Sequence, residues 1–117
     1  MSQSEPSIFT RIIDREIPAD IVFEDDLFIA FTDIAPKAPI HIVLVPKTSE
    51  YADVVQLASG DPELLAQMIA RASTIAHQVS DGQFRLVFNT GAGAGQTIFH
   101  VHGHIMSGEM TEGSLGR

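Results

Sequence analysis

The sequence predicts an α+β fold in which one long helix covers a face of a mainly antiparallel, five-stranded sheet. Three observations support this prediction. The chain has 117 residues, a length that suits one domain. One long segment repeats its apolar residues at helical spacing. Five shorter segments are rich in β-branched and aromatic residues and are bounded by turn-forming residues. We therefore expect a single domain over residues 1–117, with one long and one short helix.

The first half of the chain predicts the short helix and three strands. The segment "PSIFTRIIDRE" has Ser7 as a candidate N-cap and apolar residues on one stripe, and Pro18 closes it. Asp25 and Asp26 form a plausible hairpin turn between the first two strands. The three strands are predicted at residues 21–24, 27–33 and 41–47.

The second half predicts the long helix and two further strands. Within residues 59–79, apolar side chains recur at spacings of three and four. Pro62 suits the first turn of this helix, and Asp61 and Glu63 suit the positive end of its dipole. The last two strands are predicted at residues 84–90 and 98–106, joined by the glycine-rich segment "GAGAGQT".

Composition excludes several classes of function. The formal charge of −8 argues against nucleic-acid binding, which depends largely on lysine and arginine, although it does not exclude a small anionic ligand. The absence of cysteine excludes disulfides and thiolate metal sites. No apolar run approaches the roughly 18 residues that span a membrane. We expect a soluble, cytoplasmic protein with no membrane partner.

Three of the five histidines alternate along the last predicted strand, at positions 100, 102 and 104. Alternate side chains of a strand share a face, so the three imidazoles should face one common space. Chance and a solvated face explain this pattern poorly. Two chemical interpretations remain, a metal site and a catalytic nucleophile with helpers.

A metal site accounts for the three alternating histidines less well than a catalytic nucleophile does. His100 and His104 would be about 13 Å apart along a strand, too far to share one ion easily, so His41 would have to be a third ligand. We predict that the site has no metal. A neutral imidazole has a lone pair that can attack phosphorus, and His102 has a further imidazole on each side to orient it and stabilise charge.

Three segments carry a family resemblance: "IFTRIIDREIPADIVFEDDLFIAFTDIAPKAPIHIVLVPK", "VFNTGAGAGQTIFHVHGHIMSG" and, within the latter, "HVHGHIM". Over residues 8–108 the chain resembles the Hint branch of the histidine triad (HIT) family. The resemblance implies a HIT-like fold and a homodimer whose sheet continues across both subunits. It also implies metal-independent hydrolysis of purine nucleoside phosphoramidates or aminoacyl adenylates through a nucleotidyl-histidine intermediate, with no cofactor.

The same resemblance assigns roles to individual residues. His102 is the implied nucleophile, His104 and His41 act on phosphate charge and the leaving group, and His100 supports them from behind. The implied nucleotide-binding residues are Asp33 and Ile34 at the ribose and base, and Asn89, Gly95, Gln96 and Thr97 at the phosphate. Ile21 and Phe23 are expected first as core residues, with a position near the purine as the alternative.

Two departures from the family pattern bear on packing and substrate choice. Gly103 occupies a position that is usually hydrophobic, which we expect to loosen packing behind the histidines. The tail, residues 109–117, lacks the aromatic residue that some Hint proteins place near the site. The alternatives are a Fhit-like dinucleoside polyphosphate hydrolase and a nucleotide-binding or interaction module without catalysis.

Overall fold

A computed structural model describes residues 6–112 and confirms the predicted α+β class. Within that range five antiparallel strands form one sheet, in the order β1-β2-β3-β5-β4. The strands are β1 (Ile21–Glu24), β2 (Phe28–Thr32), β3 (Ile40–Pro46), β4 (Arg85–Val87) and β5 (Gly103–Ser107). The predicted hairpin turn between β1 and β2 is present, because Asp25 Oδ1 accepts hydrogen bonds from the amides of Leu27 and Phe28.

Three α-helices are present in the described chain, one more than predicted. They are α1 (Ile8–Ile13), α2 (Val54–Gly60) and α3 (Pro62–Val79). The predicted long helix began at residue 59, within what is α2. Asp61 separates the two helices, because its non-helical backbone (φ −153°, ψ 74°) ends α2 while its carboxylate accepts from the amide of Leu64 and caps α3.

The two faces of the sheet have different cores. Side chains from alternate positions of the central strands pack against α3 on one face, among them Phe28, Leu44 and Ile105. The intervening positions point to the other face, where α1 covers them with Phe9 and Ile12. Because α1 has only six residues, part of this second face stays open.

Strand β5 is shorter than predicted, and Pro46 supplies the reason. The pairing of Leu44 with Gly103 would place Pro46 opposite Val101 two residues further along the antiparallel ladder. Proline has no amide hydrogen to donate there. The Val101 amide instead donates to the carbonyl of Tyr51 at 3.0 Å. His100 and His102 therefore lie just before β5, not within it as predicted.

Candidate active site

A cavity of about 660 Å³ lies on the open face of the sheet, between α1 and the histidines. Its size is within the range of small-molecule binding sites. His41, His102 and His104 line it, although only His104 belongs to β5. The lining also includes Phe9, Asp33, Ile34, Lys37, Asn89, Gly95 and Thr97.

His102 presents an unprotonated nitrogen to this cavity. Its Nδ1 lies 2.9 Å from the carbonyl oxygen of His100. Because a carbonyl can only accept, Nδ1 carries the proton, and Nε2 of the neutral ring keeps its lone pair. Burial is the main cause that lowers the pKa of His102 below its usual 6.5, so the ring is neutral at physiological pH. Phe9 holds the ring edge-on, with 4.8 Å between centroids.

His41 and His104 form a hydrogen-bonded pair whose proton positions follow from the backbone. The Lys37 amide donates to His41 Nδ1 at 2.9 Å, so the proton of neutral His41 is on Nε2. That Nε2 donates to His104 Nδ1 at 2.9 Å. Neutral His104 then carries its own proton on Nε2, which has no partner within residues 6–112 and can donate to a ligand.

Burial and neighbouring imidazoles keep this pair uncharged. Burial, followed by the proximity of His102 and His41, lowers the pKa of His104 to about 4. Burial also lowers the pKa of His41, although the Asp33 carboxylate acts in the opposite direction. The rings of His102 and His104 are 5.1 Å apart between centroids. The cavity therefore combines a nucleophilic lone pair with an adjacent hydrogen-bond donor.

His100 lies behind these rings and does not line the cavity. Only 1% of its surface is exposed. Its Nε2 donates to the Pro46 carbonyl at 2.8 Å, and its Nδ1 lies 2.9 Å from Ser7 Oγ. Burial lowers the pKa of His100, so this ring is neutral as well.

Asp33 and Ile34 lie at the cavity's rim, just after β2. Asp33 Oδ1 accepts from the Ala35 amide at 2.7 Å, which fixes the carboxylate in a turn. Its Oδ2 is 3.5 Å from His41 Nε2. Ile34 is fully exposed, so its side chain is free to meet a ligand.

The glycine-rich loop brings Asn89, Gly95 and Thr97 to the cavity, but not Gln96. Gln96 is buried, and its amide group bonds only to backbone. Its Oε1 accepts from the Gly91 amide, and its Nε2 donates to the carbonyls of Ala52 and Ile98. This side chain holds the loop closed. Gly95, with φ +94°, adopts a turn conformation that glycine favours.

Ile21 and Phe23 do not line the cavity. Phe23 packs against the core on the α3 face, and Ile21 is partly exposed on the edge strand β1.

Sequence reasoning also missed three residues near the site. Lys37 and Phe9 line the cavity, and Ser7 contacts His100. A hydrogen bond across 93 positions leaves no local signal in the sequence.

Asp33, His41 and His104 form a group of metal-ligand type within residues 6–112. The three atom pairs are separated by 2.9, 3.5 and 3.9 Å, near the roughly 3.4 Å between ligands of tetrahedral zinc. However, the Lys37 amide occupies His41 Nδ1 and places the imidazole proton on Nε2, the atom that a metal would need. The hydrogen bonds thus favour a proton relay over a metal centre.

Comparisons with known proteins show the family to which the chain belongs. A family model described as "HIT domain" matches residues 14–111. Purine nucleoside phosphoramidase of Escherichia coli is 40% identical over 107 residues, covering 90% of this chain and 89% of that protein. Adenylylsulfatase HINT1 of Arabidopsis thaliana is 37% identical over 106 residues, covering 88% and 71%.

A solved structure supports the same relationship. The HIT family hydrolase from Clostridium thermocellum superposes with a TM-score of 0.85 at 35% identity, covering 93% of this chain and 96% of that one. The motif resemblance, the matched family model and the shared fold agree. The chain belongs to the HIT domain family, and its relatives include members of the Hint branch.

Proposed function

We propose that this protein hydrolyses purine nucleoside phosphoramidates, or the related aminoacyl adenylates, through a nucleotidyl intermediate on His102. The observation that carries this proposal is the 2.9 Å hydrogen bond from His102 Nδ1 to the His100 carbonyl, which leaves Nε2 free at the cavity. The 40% identity to a purine nucleoside phosphoramidase supports the choice of substrate class.

The reaction would proceed in two displacements. Nε2 of His102 attacks the α-phosphorus and the new N–P bond forms as the bond to the amine breaks; the departing amine takes a proton from solvent water. The His102 ring then carries a positive charge, which the His100 carbonyl stabilises through Nδ1–H. Water next attacks phosphorus, gives one proton back to the solvent and breaks the bond to Nε2, releasing the nucleoside monophosphate and the neutral ring. His104 Nε2–H is suited to donate to a phosphate oxygen in both steps.

The cavity rim is suited to the nucleoside and the phosphate. Asp33 and Ile34 are proposed to contact ribose and base, because one carboxylate is fixed there beside an exposed apolar side chain. Asn89, Gly95 and Thr97 are proposed to lie along the phosphate.

One residue favours a second candidate, a substrate with an anionic leaving group such as adenylyl sulfate or a dinucleoside polyphosphate. Lys37 is the only lysine or arginine among the cavity's described lining residues. An ammonium group there would stabilise a departing anion but not a departing protonated amine. If Lys37 stabilises anionic leaving groups, the Lys37→Gln variant should lose more kcat/KM for adenylyl sulfate and diadenosine triphosphate than for adenosine 5′-phosphoramidate. Turnover assays with the three substrates check this.

The His102→Ala variant tests the main proposal. Loss of the nucleophile should lower kcat for adenosine 5′-phosphoramidate by roughly a thousandfold or more, with nucleotide binding largely retained. His77→Gln, on the exposed side of α3, is the matched control and should keep wild-type turnover. Mass spectrometry of protein quenched during turnover should show a nucleotidyl group on His102. Retained activity in His102→Ala would reject the mechanism, and binding without turnover in the wild type would favour the non-catalytic alternative.

We also propose that the protein forms a homodimer. Strand β4 is at one end of the described sheet, with only β5 as a neighbour. Its other edge presents backbone groups that a second copy of β4 can pair with.

A further inference from the structure

The segment that carries the nucleophile is not held by the sheet. The ladder between β3 and β5 ends at the pairing of Leu44 with Gly103, one residue before β5 would reach His102. The orientation of the His100 carbonyl, which fixes the His102 ring, therefore depends on the bond from the Val101 amide of the same peptide unit to the Tyr51 carbonyl, and on the support that the His100 side chain gives.

The buried ring of His100 supplies that support from two sides. Its Nε2 reaches the Pro46 carbonyl at the end of β3. Its Nδ1 reaches Ser7 Oγ at the start of α1. With 1% exposure, the ring has no room to exchange these partners for water.

The donor in each hydrogen bond of the His100 ring follows from its partner. The Pro46 carbonyl only accepts, so the proton of neutral His100 is on Nε2, and Nδ1 must accept. Ser7 Oγ already accepts from the Thr10 amide at 3.1 Å, and its own hydroxyl proton is available for His100 Nδ1. Thr10 Oγ1 is more distant from that nitrogen, at 3.4 Å.

The geometry points to Ser7 as a positioning residue for His102. Its hydroxyl donates to Nδ1 and holds the orientation of the His100 ring, whose tautomer the Pro46 carbonyl fixes. The His100 carbonyl in turn fixes the proton of His102 on Nδ1 and leaves Nε2 to attack. Helix α1 is thereby coupled to the reactive nitrogen, since Phe9 packs against both rings. The effect on turnover rests on the proposed function, whereas the effect on the imidazoles does not.

Three substitutions at Ser7 separate this role from its role as N-cap of α1. Ser7→Thr keeps both the cap and the hydroxyl donor. Ser7→Asp keeps the cap, because aspartate is a good N-cap, but has no hydroxyl proton for His100. Ser7→Ala loses both. Thr10→Val is the matched control, because it removes the more distant hydroxyl with little change of shape.

Two readouts are needed, kcat and KM for adenosine 5′-phosphoramidate and the imidazole nitrogen shifts from proton–nitrogen NMR. Ser7→Ala and Ser7→Asp should both lower kcat by roughly tenfold or more with little change in KM, the size typical of a lost orienting partner. Ser7→Thr and Thr10→Val should stay near the wild type. In the NMR spectra, Ser7→Asp should place protons on both nitrogens of His100 near neutral pH, and Ser7→Ala should show His102 as a mixture of tautomers.

Several outcomes would overturn the role of Ser7. A wild-type kcat in Ser7→Asp would mean that Ser7 is only a helix cap. Unchanged imidazole shifts in Ser7→Ala would mean that Ser7 does not position His100. A loss of kcat in Thr10→Val equal to that in Ser7→Ala would remove the distinction between the two hydroxyls. If the wild-type protein does not hydrolyse the phosphoramidate, the proposed function fails, and the imidazole shifts alone decide whether Ser7 positions the ring.

Discussion

Burial makes the imidazoles of His41, His102 and His104 poor bases, and this gives stability a definite pH dependence. The pKa of His104 is about 4 in the folded protein, against 6.5 for an exposed imidazole. Between these two values the unfolded chain binds a proton that the folded chain does not, so protonation favours unfolding. This contribution to stability is present above pH 6.5 and is lost as pH falls toward 4.

We therefore expect the free energy of unfolding to fall as pH is lowered from 7.5 to 5, and to fall less in His104→Gln. Urea titrations at the two pH values measure this difference. Glu24 and Asp25 also have lowered pKa values, but the usual values of these carboxyl groups are 4.5 and 3.8. Their effect on stability therefore falls mainly below pH 5. Equal losses in the variant and the wild type would contradict the assigned burial effect.

At the residue scale, the sequence predicts that the histidines cluster, but not that His100 lies behind the cavity that His102 and His104 line, nor which nitrogens carry the protons. The alternation of residues 100, 102 and 104, together with family motifs, indicates one cluster, and the structure brings His41, His102 and His104 together. The proton positions depend on the Lys37 amide and on the carbonyls of Pro46 and His100. Backbone groups of this kind are present at every position, so no residue type reveals them.

At the element scale, Gly103 does not loosen the packing behind the histidines as expected. A Cβ at this position would lie 3.0 Å from Leu86 Cδ1 and 3.1 Å from Phe88 Cε1. These two side chains already occupy the space that a larger residue would need. The hydrophobic residue usual in the family therefore has no room in this chain unless both neighbours shift.

Gly103→Leu should for this reason lower the free energy of unfolding by about 1–3 kcal/mol, the usual cost of overpacking. Gly93→Ala is the control, because a Cβ there meets nothing within 4 Å and its stability should change by less than about 0.5 kcal/mol. Urea unfolding of both variants checks the difference. Unchanged stability in Gly103→Leu would show that Leu86 and Phe88 adjust freely.

Elements with strong periodicity were predictable, and boundaries set by single residues were not. The apolar repeat indicated α3, and alternating or β-branched runs indicated all five strands. Helix α2 was missed because its seven residues bury only Leu57 fully and so show little periodicity. The start of β5 was misplaced because the missing amide hydrogen belongs to Pro46 on another strand.

At the scale of the whole molecule, the two faces of the sheet serve separate purposes. The α3 face is filled by core side chains, whereas the α1 face leaves the cavity open. None of the helices described is both long and apolar enough to cross a bilayer. The single-domain organisation and the cytoplasmic location stay predictions, and residues 113–117 of the predicted tail lie outside the described range.

Dimerisation through β4 is testable in solution. Light scattering after size exclusion should give about twice the chain mass of 12.7 kDa. Leu86→Pro removes an amide from the middle of β4 and should shift the mass toward one chain, because proline disrupts strand pairing. Ile69→Asn, on the exposed side of α3, is a control that should leave the mass unchanged. A wild-type protein with the mass of one chain would contradict the proposed assembly.

Pro46 has a consequence for the motion that the proposed displacement at phosphorus would require. As the N–P distance shortens, the attacking ring and the phosphorus must approach each other. A ring fixed within the ladder would have to distort inter-strand pairs to follow, but His102 lies one residue beyond the last pair. A single imino acid thus leaves His102, the proposed nucleophile, outside the strand pairing, so that side-chain contacts and not inter-strand bonds limit how far its ring can advance.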